Sequence, residues 1–411
     1  MDHAGLVCHE LVKHPAALRV AVVTETYPPE INGVAMSTGR LVEGLVAAGH
    51  RVDLIRPRQP HEGGEPGARA PASGLDEMLA RGFPLPKYAQ LQLGLPARQL
   101  LLRRWSRQRP DIVQLVTEGP LGWSALAAAR KLQLPVISEF HTNFHRYTGH
   151  YGVGWLKAPI AAYLRSFHKR ADLTLVPTRA LGDELQALGI PRVDVVSRGV
   201  DTELFAPQRR SDALRRQWGL GPDDLAVLYV GRIAPEKNLA LLEKAFAAIH
   251  ARHPRHPRAR LVMVGGGPAL AALRSRQPRA VFAGMQTGTA LAEHYASGDL
   301  FLFPSLTEAY GNVVAEALAS GLPVVAYRDA AALELVSHDI HGWLAEPGDE
   351  AAFVAGAVSL ADAPGQRERQ ALAARQRVAA LGWPAIVERL VGLQRQIILS
   401  SPAVLPAGKK R

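Results

Sequence analysis

Short apolar runs separated by helical stretches recur along this chain, and they recur in two sets. The first set opens with Leu18-Arg19-Val20-Ala21-Val22-Val23. It continues through Val52–Ile55, Ile112–Val116, Pro135–Ser138, Leu173–Val176 and Val193–Val196. The second opens with Ala226–Gly231 and continues through Arg260–Gly265, Val281–Ala283, Leu300–Phe303 and Pro323–Ala326. Brief, β-branched apolar runs with helices between them predict parallel sheets covered on both faces. The break falls near residues 200–222, where Pro207, charged residues and Gly219–Pro222 cluster. The pattern therefore predicts an α/β chain with two Rossmann-like domains, residues 18–205 and 206–382. Residues 1–17 read as an extension. Residues 383–411 read as a last helix, about Pro384 to Leu399, that packs back toward the first domain and ends in a basic tail.

Composition narrows the class. With 411 residues, 47% hydrophobic and 21% charged, the chain reads as a soluble globular protein. Its single cysteine, Cys8, excludes a disulfide framework and a cysteine metal cluster. No apolar run reaches the roughly 18–20 residues that span a bilayer. Residues 1–17 lack the apolar core of a signal peptide, so a cytoplasmic location is expected. The formal charge of +11 favours an anionic partner: a nucleotide, an anionic membrane or nucleic acid. Nothing resembles a helix-turn-helix or a zinc finger, which argues against nucleic acid.

The most informative stretch is Thr307-Glu308-Ala309-Tyr310-Gly311-Asn312-Val313-Val314-Ala315-Glu316. The run Leu300–Phe303 before it reads as a buried strand, and Val313–Ala319 reads as a helix closed by Gly321. Glu308 then lies in the loop that leaves the strand, and Glu316 lies about one turn into the helix. The carboxyl ends of such strands form the crevice where open α/β sheets bind ligands. Helix-start amides near Gly311 and Asn312 suit a phosphate, and carboxylates suit sugar or ribose hydroxyls. In Gly231-Arg232-Ile233-Ala234-Pro235-Glu236-Lys237-Asn238, Arg232 follows a strand and Lys237 opens the next helix. Two cations there would neutralise a diphosphate.

Other residues sit at similar places. Gly265, in Gly265-Gly266-Gly267-Pro268, permits a close backbone approach to a ligand, and Gly33 follows the first strand, before a helix expected from about Ser37 to Ala48. His141 follows the Pro135–Ser138 strand and would hydrogen-bond the substrate, with His145 and His150 nearby. Metal binding is not expected from these histidines, because no carboxylate stands at a ligand spacing and H-E-x-x-H is absent. The chain also lacks G-x-G-x-x-G, a P-loop and Asp-x-Asp, so classical NAD or ATP binding and metal-held diphosphate are disfavoured.

Taken in order, these motifs resemble the retaining glycosyltransferases of family four, which have the GT-B architecture of two facing Rossmann-like domains. The resemblance runs from Leu18 to Leu399. It rests on Glu308 to Glu316, on Gly231-Arg232 with Glu236-Lys237, on Asn32-Gly33-Val34 and on His141. It implies an acceptor-side first domain and a nucleotide-sugar-binding second domain. By the same resemblance, Glu316 would bind the donor ribose, and Glu308 the transferred sugar. Arg232 and Lys237 would hold the diphosphate, and Gly33 would border it. His141 would contact the sugar or steady developing positive charge. The stretches Phe140–Phe144 and Ser197–Phe205, the latter with Arg198, look like a subgroup of GDP-mannose-dependent mannosyltransferases and sulfoquinovosyl or glucuronosyl lipid synthases. Arg198, Gly265, Tyr310, Gly311 and Asn312 join the expected donor-binding set. Two departures stand out: Asn238 follows Lys237 where glycine is commoner, and Tyr310 replaces the commoner aromatic.

The expectation is a hexosyl transfer from a nucleotide-sugar, GDP-mannose first, to a lipid or glycan acceptor, with no metal or other cofactor. The alternatives are a UDP-sugar-dependent glycolipid synthase (glucosyl, glucuronosyl or sulfoquinovosyl), a nucleotide-sugar epimerase or phosphorylase, and a non-catalytic binding protein. Basic stretches at Arg98–Arg109, with Arg103, Arg104 and Arg107, and at Trp155–Arg170 suggest peripheral contact with an anionic membrane on its cytoplasmic side.

Overall fold

A computed structural model describes residues 17–30, 32–59, 62, 73–85, 88–141, 157–252, 259–306, 308 and 310–401. Two parallel sheets form its frame. The strands of the first half are β1 (Arg19–Val23), β2 (Arg51–Pro57), β3 (Leu75–Ala80), β4 (Gly82–Leu85), β5 (Tyr88–Gly94), β6 (Ile112–Leu115), β7 (Val136–Glu139), β8 (Leu173–Val176) and β9 (Val193–Val195). Seven of them make one sheet in the order β3-β2-β1-β6-β7-β8-β9, while β4 and β5 pair as an antiparallel hairpin. The second half contributes β10 (Ala226–Val230), β11 (Arg260–Val264), β12 (Val281–Gly284), β13 (Leu300–Phe303), β14 (Val324–Tyr327) and β15 (Gly342–Ala345), ordered β12-β11-β10-β13-β14-β15.

Each sheet buries both faces, and its side chains divide by the two-residue period of a strand. In β1, Val20 and Val22 join one core with Leu45 and Leu54, while Ala21 and Val23 join another with Trp105 and Leu121. In β10, Leu228 and Val230 face the core that holds Phe301 and Val314, and Val227 and Tyr229 face the one that holds Leu242 and Phe353. The C-terminal helix, Trp383–Ser400, returns to the first sheet. Its Val387, Leu390 and Val391 share a core with Val20 and Val22.

Several elements differ from expectation, for local reasons. The first helix spans Gly33–Ala47 rather than starting at Ser37, because Asn32 caps it: the Asn32 Oδ1 accepts from Val34 N at 3.1 Å and Ala35 N at 2.8 Å. Strand β3 carries Asp76 and Glu77, which hide its strand pattern. On this edge strand those charges pair with Arg19 at 3.0 Å and Arg56 at 2.8 Å. The apolar-run pattern likewise does not predict the hairpin β4–β5 or the edge strand β15. In the basic helix Arg98–Arg107, Arg104 turns inward and grips the buried Asp53 at 2.6 Å, so it is not a surface cation. His145, His150, Trp155 and Leu156 lie outside the described residues.

Asn238, the residue in place of the commoner glycine, has φ 52° and ψ 46°. Asparagine tolerates this left-handed conformation better than most side chains, so the turn after Lys237 survives the substitution.

The second domain is pinned at its entry by Arg215, 1% exposed. Its Nη1 donates to the Ser297 carbonyl and Asp299 Oδ2, each at 2.9 Å, and its Nη2 to the carbonyls of Gly221 at 2.9 Å and Asp224 at 2.6 Å. Removing this guanidinium would leave several carbonyls without their donor, and Asp299 with only Arg210 and the Ala226 amide among the described residues. Arg215→Ala should cost about 3–5 kcal/mol in urea unfolding, whereas the exposed Arg98→Ala should change stability by about 0.5 kcal/mol or less.

Candidate active site

The strand orders reverse at two places: between β1 and β6, and between β10 and β13. Such switch points open a crevice at the carboxyl ends of the strands. At the second one, Lys237 comes from the turn Pro235–Lys237 after β10, and Glu308 comes from the loop after β13. Their side chains meet as an ion pair, and Ser305 Oγ donates to the same Glu308 oxygen at 2.9 Å. Both side chains remain partly exposed, at 16% and 18%. Arg232 stands at the rim, 46% exposed, and reaches Glu236 at 3.2 Å.

Glu316 lies on the helix Asn312–Ala319 and accepts a hydrogen bond from the Tyr295 hydroxyl at 2.8 Å. Burial pushes its carboxyl up to about 7, against the lowering effect of Tyr295. Gly311 precedes that helix with φ 92°, a conformation that glycine adopts at no steric cost. Lys237 and Glu308 thus meet at the second switch point, while Arg232 follows β10 and Glu316 lies on the helix that follows β13.

The first domain faces this crevice with Gly33 and His141, and Arg198 joins the two sides. The Arg198 Nη1 donates to the Gly33 carbonyl at 3.2 Å and to Asn312 Oδ1 at 3.2 Å. Its Nη2 lies 3.4 Å from His141 Nδ1, and its guanidinium carbon lies 5.8 Å from the centre of the Tyr310 ring. Arg198 is buried, and burial pulls its pKa below the ordinary value while Tyr310, Glu139 and Glu308 oppose the shift. A side chain at position 33 would come 3.1 Å from Arg198 Nη1, so the missing Cβ of Gly33 makes room for the guanidinium. Tyr310 is buried too. Its hydroxyl bonds Ser197 Oγ at 2.9 Å, so its role here is to support the Arg198 loop.

Gly265 has a structural reason of its own. With φ 134°, a Cβ there would stand 2.0 Å from the Gly231 carbonyl oxygen. The glycine lets the loops after β10 and β11 pack backbone to backbone, as Ile233 N to Gly266 O at 2.9 Å also shows.

Sequence reasoning passed over Glu139. Its Oε2 lies 2.7 Å from His141 Nε2 and its Oε1 accepts from Gln114 Nε2. Burial alone would raise the Glu139 carboxyl, but His141, Gln114 and Arg198 outweigh it and hold the group below its ordinary value. The signal was present: Glu139 precedes His141 by two residues at a strand end, and Gln114 interrupts the apolar run Ile112–Val116.

Comparison with known proteins places this geometry in a family. Residues 31–204 match the model of Glycosyltransferase Family 4, and residues 224–363 match that of Glycosyl transferases group 1. A GDP-mannose-dependent alpha-mannosyltransferase of Mycobacterium tuberculosis is 37% identical over 376 residues, covering 91% of this chain and 96% of that protein. A sulfoquinovosyl transferase of Arabidopsis thaliana is 35% identical over 321 residues, covering 76% of this chain and 61% of that protein. Among solved structures, a sucrose-phosphate synthase from Thermosynechococcus elongatus superposes with a TM-score of 0.76 at 20% identity, covering 93% of this chain and 100% of that one. The chain belongs to Glycosyltransferase Family 4 and is a glycosyltransferase of GT-B architecture.

Proposed function

We propose that this hexosyltransferase moves a mannosyl group from GDP-mannose to a hydroxyl of a lipid or glycan, with retention at the anomeric carbon and without a metal ion. The observation that carries the reading is the β10/β13 switch point, where Lys237 and Glu308 meet, with Arg232 on the loop after β10 and Glu316 on the helix after β13. The similarity to GDP-mannose-dependent alpha-mannosyltransferases favours GDP-mannose as the donor. Lys237 and Arg232 supply the positive charge that a metal would otherwise bring to the diphosphate.

In this scheme the diphosphate draws Lys237 away from Glu308, and the released carboxylate accepts from the sugar hydroxyls. The bond between the anomeric carbon and the phosphate oxygen breaks as the acceptor oxygen attacks the same face. The departing phosphate oxygen takes the acceptor's proton, so no side chain acts as nucleophile. The similarity to a sulfoquinovosyl transferase favours a second reading, a UDP-sugar-dependent glycolipid synthase, with the same residues in the same roles.

Glu316 sets a pH dependence. Its carboxyl in the folded protein titrates near 7, above the ordinary value of 4.5. This raised pKa stabilises the fold below the ordinary value, and the benefit is lost as pH rises through 7. Ribose hydroxyls donate to the ionised form, so donor binding expels a proton. Affinity for GDP-mannose should therefore fall about tenfold per unit as pH drops well below 7. Transfer of radiolabelled mannose from GDP-mannose to a membrane lipid extract, with EDTA present, should follow the same curve. Glu316→Gln should weaken binding and flatten the pH profile. A wild-type affinity that is flat from pH 5 to 8 would count against Glu316 as the ribose ligand, and transfer from UDP-sugars alone would favour the second reading.

We also infer that the first domain touches an anionic membrane surface. The helix Arg98–Arg107 exposes Leu100, Arg103 and Arg107, and Phe83 of the neighbouring hairpin is 51% exposed. No helix among the described residues is long and apolar enough to cross a membrane. Vesicles containing phosphatidylglycerol should co-float with the protein at low salt and release it at high salt. The double variant Arg103→Glu/Arg107→Glu should bind less. Equal recovery of the two proteins would show that this face is not the contact.

A further inference from the structure

A line of buried side-chain hydrogen bonds runs from the C-terminal helix to the crevice. Gln394 Nε2 donates to Gln114 Oε1 at 2.8 Å. Gln114 Nε2 donates to Glu139 Oε1, and Glu139 Oε2 lies 2.7 Å from His141 Nε2. His141 Nδ1 then faces Arg198 Nη2 at 3.4 Å. Gln394, Gln114 and Glu139 are 0%, 1% and 5% exposed.

Charge at the two ends fixes the direction of every link. An ionised carboxylate only accepts, so Gln114 must turn its amide nitrogen toward Glu139 and its oxygen away. That oxygen then needs a donor, and Gln394 is the donor present. At the other end a guanidinium only donates, so His141 Nδ1 must accept. The ring proton therefore sits on Nε2, where Glu139 receives it. Both ends select the same histidine tautomer.

Gln394 is costly where it stands. It interrupts the apolar stripe Val387, Leu390, Val391 and Ile398, which packs against the first sheet. Its Oε1 is buried without a hydrogen-bond partner among the described residues. A leucine would continue the stripe and avoid the unsatisfied acceptor. Packing therefore does not explain the amide, whereas the link to Gln114 does.

We propose that Gln114 and Gln394 are positioning residues: together they hold the Glu139 carboxylate in the orientation that keeps His141 in its Nε2–H tautomer, with Nδ1 turned to Arg198. The helix Trp383–Ser400 thereby acts on His141 through Gln394, in addition to lining the cavity beside Glu139, His141 and Arg198 with Trp383, Ile386 and Leu390. This rests on the crevice being the transfer site only for the effect on turnover. The effect on the histidine does not depend on it.

Long-range proton–nitrogen correlation spectra of protein carrying 15N-histidine read the tautomer directly, with His141→Gln giving the assignment. The wild type should show His141 as a single Nε2–H species. Gln114→Leu should give a mixture of tautomers, and Gln394→Leu a smaller change in the same direction. Gln394→Leu keeps the helix stripe apolar, so it serves if Gln114→Leu does not fold. Val391→Ala loosens the same helix without touching the line, and should leave the tautomer unchanged while lowering Tm. In the transfer assay both glutamine variants should lose at least fivefold in kcat, with KM for GDP-mannose unchanged. A mixed tautomer in the wild type, or an unchanged one in both glutamine variants, would overturn the proposal. A tautomer that responds as expected in a protein that transfers no sugar would support the positioning role and instead count against the proposed transferase reaction.

Discussion

A buried guanidinium holds the two halves of this crevice together. Arg198 follows β9, yet it reaches both domains: the Gly33 carbonyl and His141 on one side, Asn312 and the Tyr310 ring on the other. A charge taken out of water needs compensation, and removing part of that compensation is costly. Each partner is constrained in turn. A Cβ at position 33 would crowd the guanidinium, Asn312 presents its oxygen, and His141 accepts at Nδ1. The loops that approach the crevice are thus held in register by one side chain that carries their shared electrostatic cost.

Around that centre the remaining charges balance locally. Lys237 and Glu308 neutralise each other across the β10/β13 switch point, and Glu139 accepts hydrogen bonds from His141 and Gln114 within reach of the Arg198 charge. Glu316 differs. Its carboxylate accepts from the Tyr295 hydroxyl, and burial raises its pKa against that hydrogen bond. A ligand with a diphosphate and a ribose fits this distribution: its anionic part competes for Lys237, and its hydroxyls give Glu316 the donors that favour its ionised form. In the proposed reaction the same carboxylate would couple proton release to donor binding.

Most of the frame was legible in the sequence because buried parallel strands read as plain apolar runs. The pairs Arg232/Lys237 and Glu308/Glu316 were legible because each follows such a run at a strand end. What stayed hidden was decided by partners distant in sequence. Strand β3 carries Asp76 and Glu77, and only the basic side chains facing them make it a strand edge. Arg104 looked like a surface cation until Asp53 took it inward. Gly265 and Gly33 look like openings for a ligand in the sequence, yet a Cβ at Gly265 would strike the Gly231 carbonyl and one at Gly33 would crowd Arg198. Gln394 did leave a trace, a polar residue at a stripe position of an apolar helix, but its partner lies 280 positions away.

Calorimetric titration of GDP-mannose into the wild type and into Arg198→Lys, at equal folded fraction, tests the central claim that a donor site spanning both domains is held together by this guanidinium. Lysine keeps the charge but cannot donate in a planar fork to Gly33, Asn312 and His141 at once. The wild type should bind, and the variant should bind at least tenfold more weakly, a loss of about 1.4 kcal/mol or more. Equal affinity in the two proteins would contradict the account.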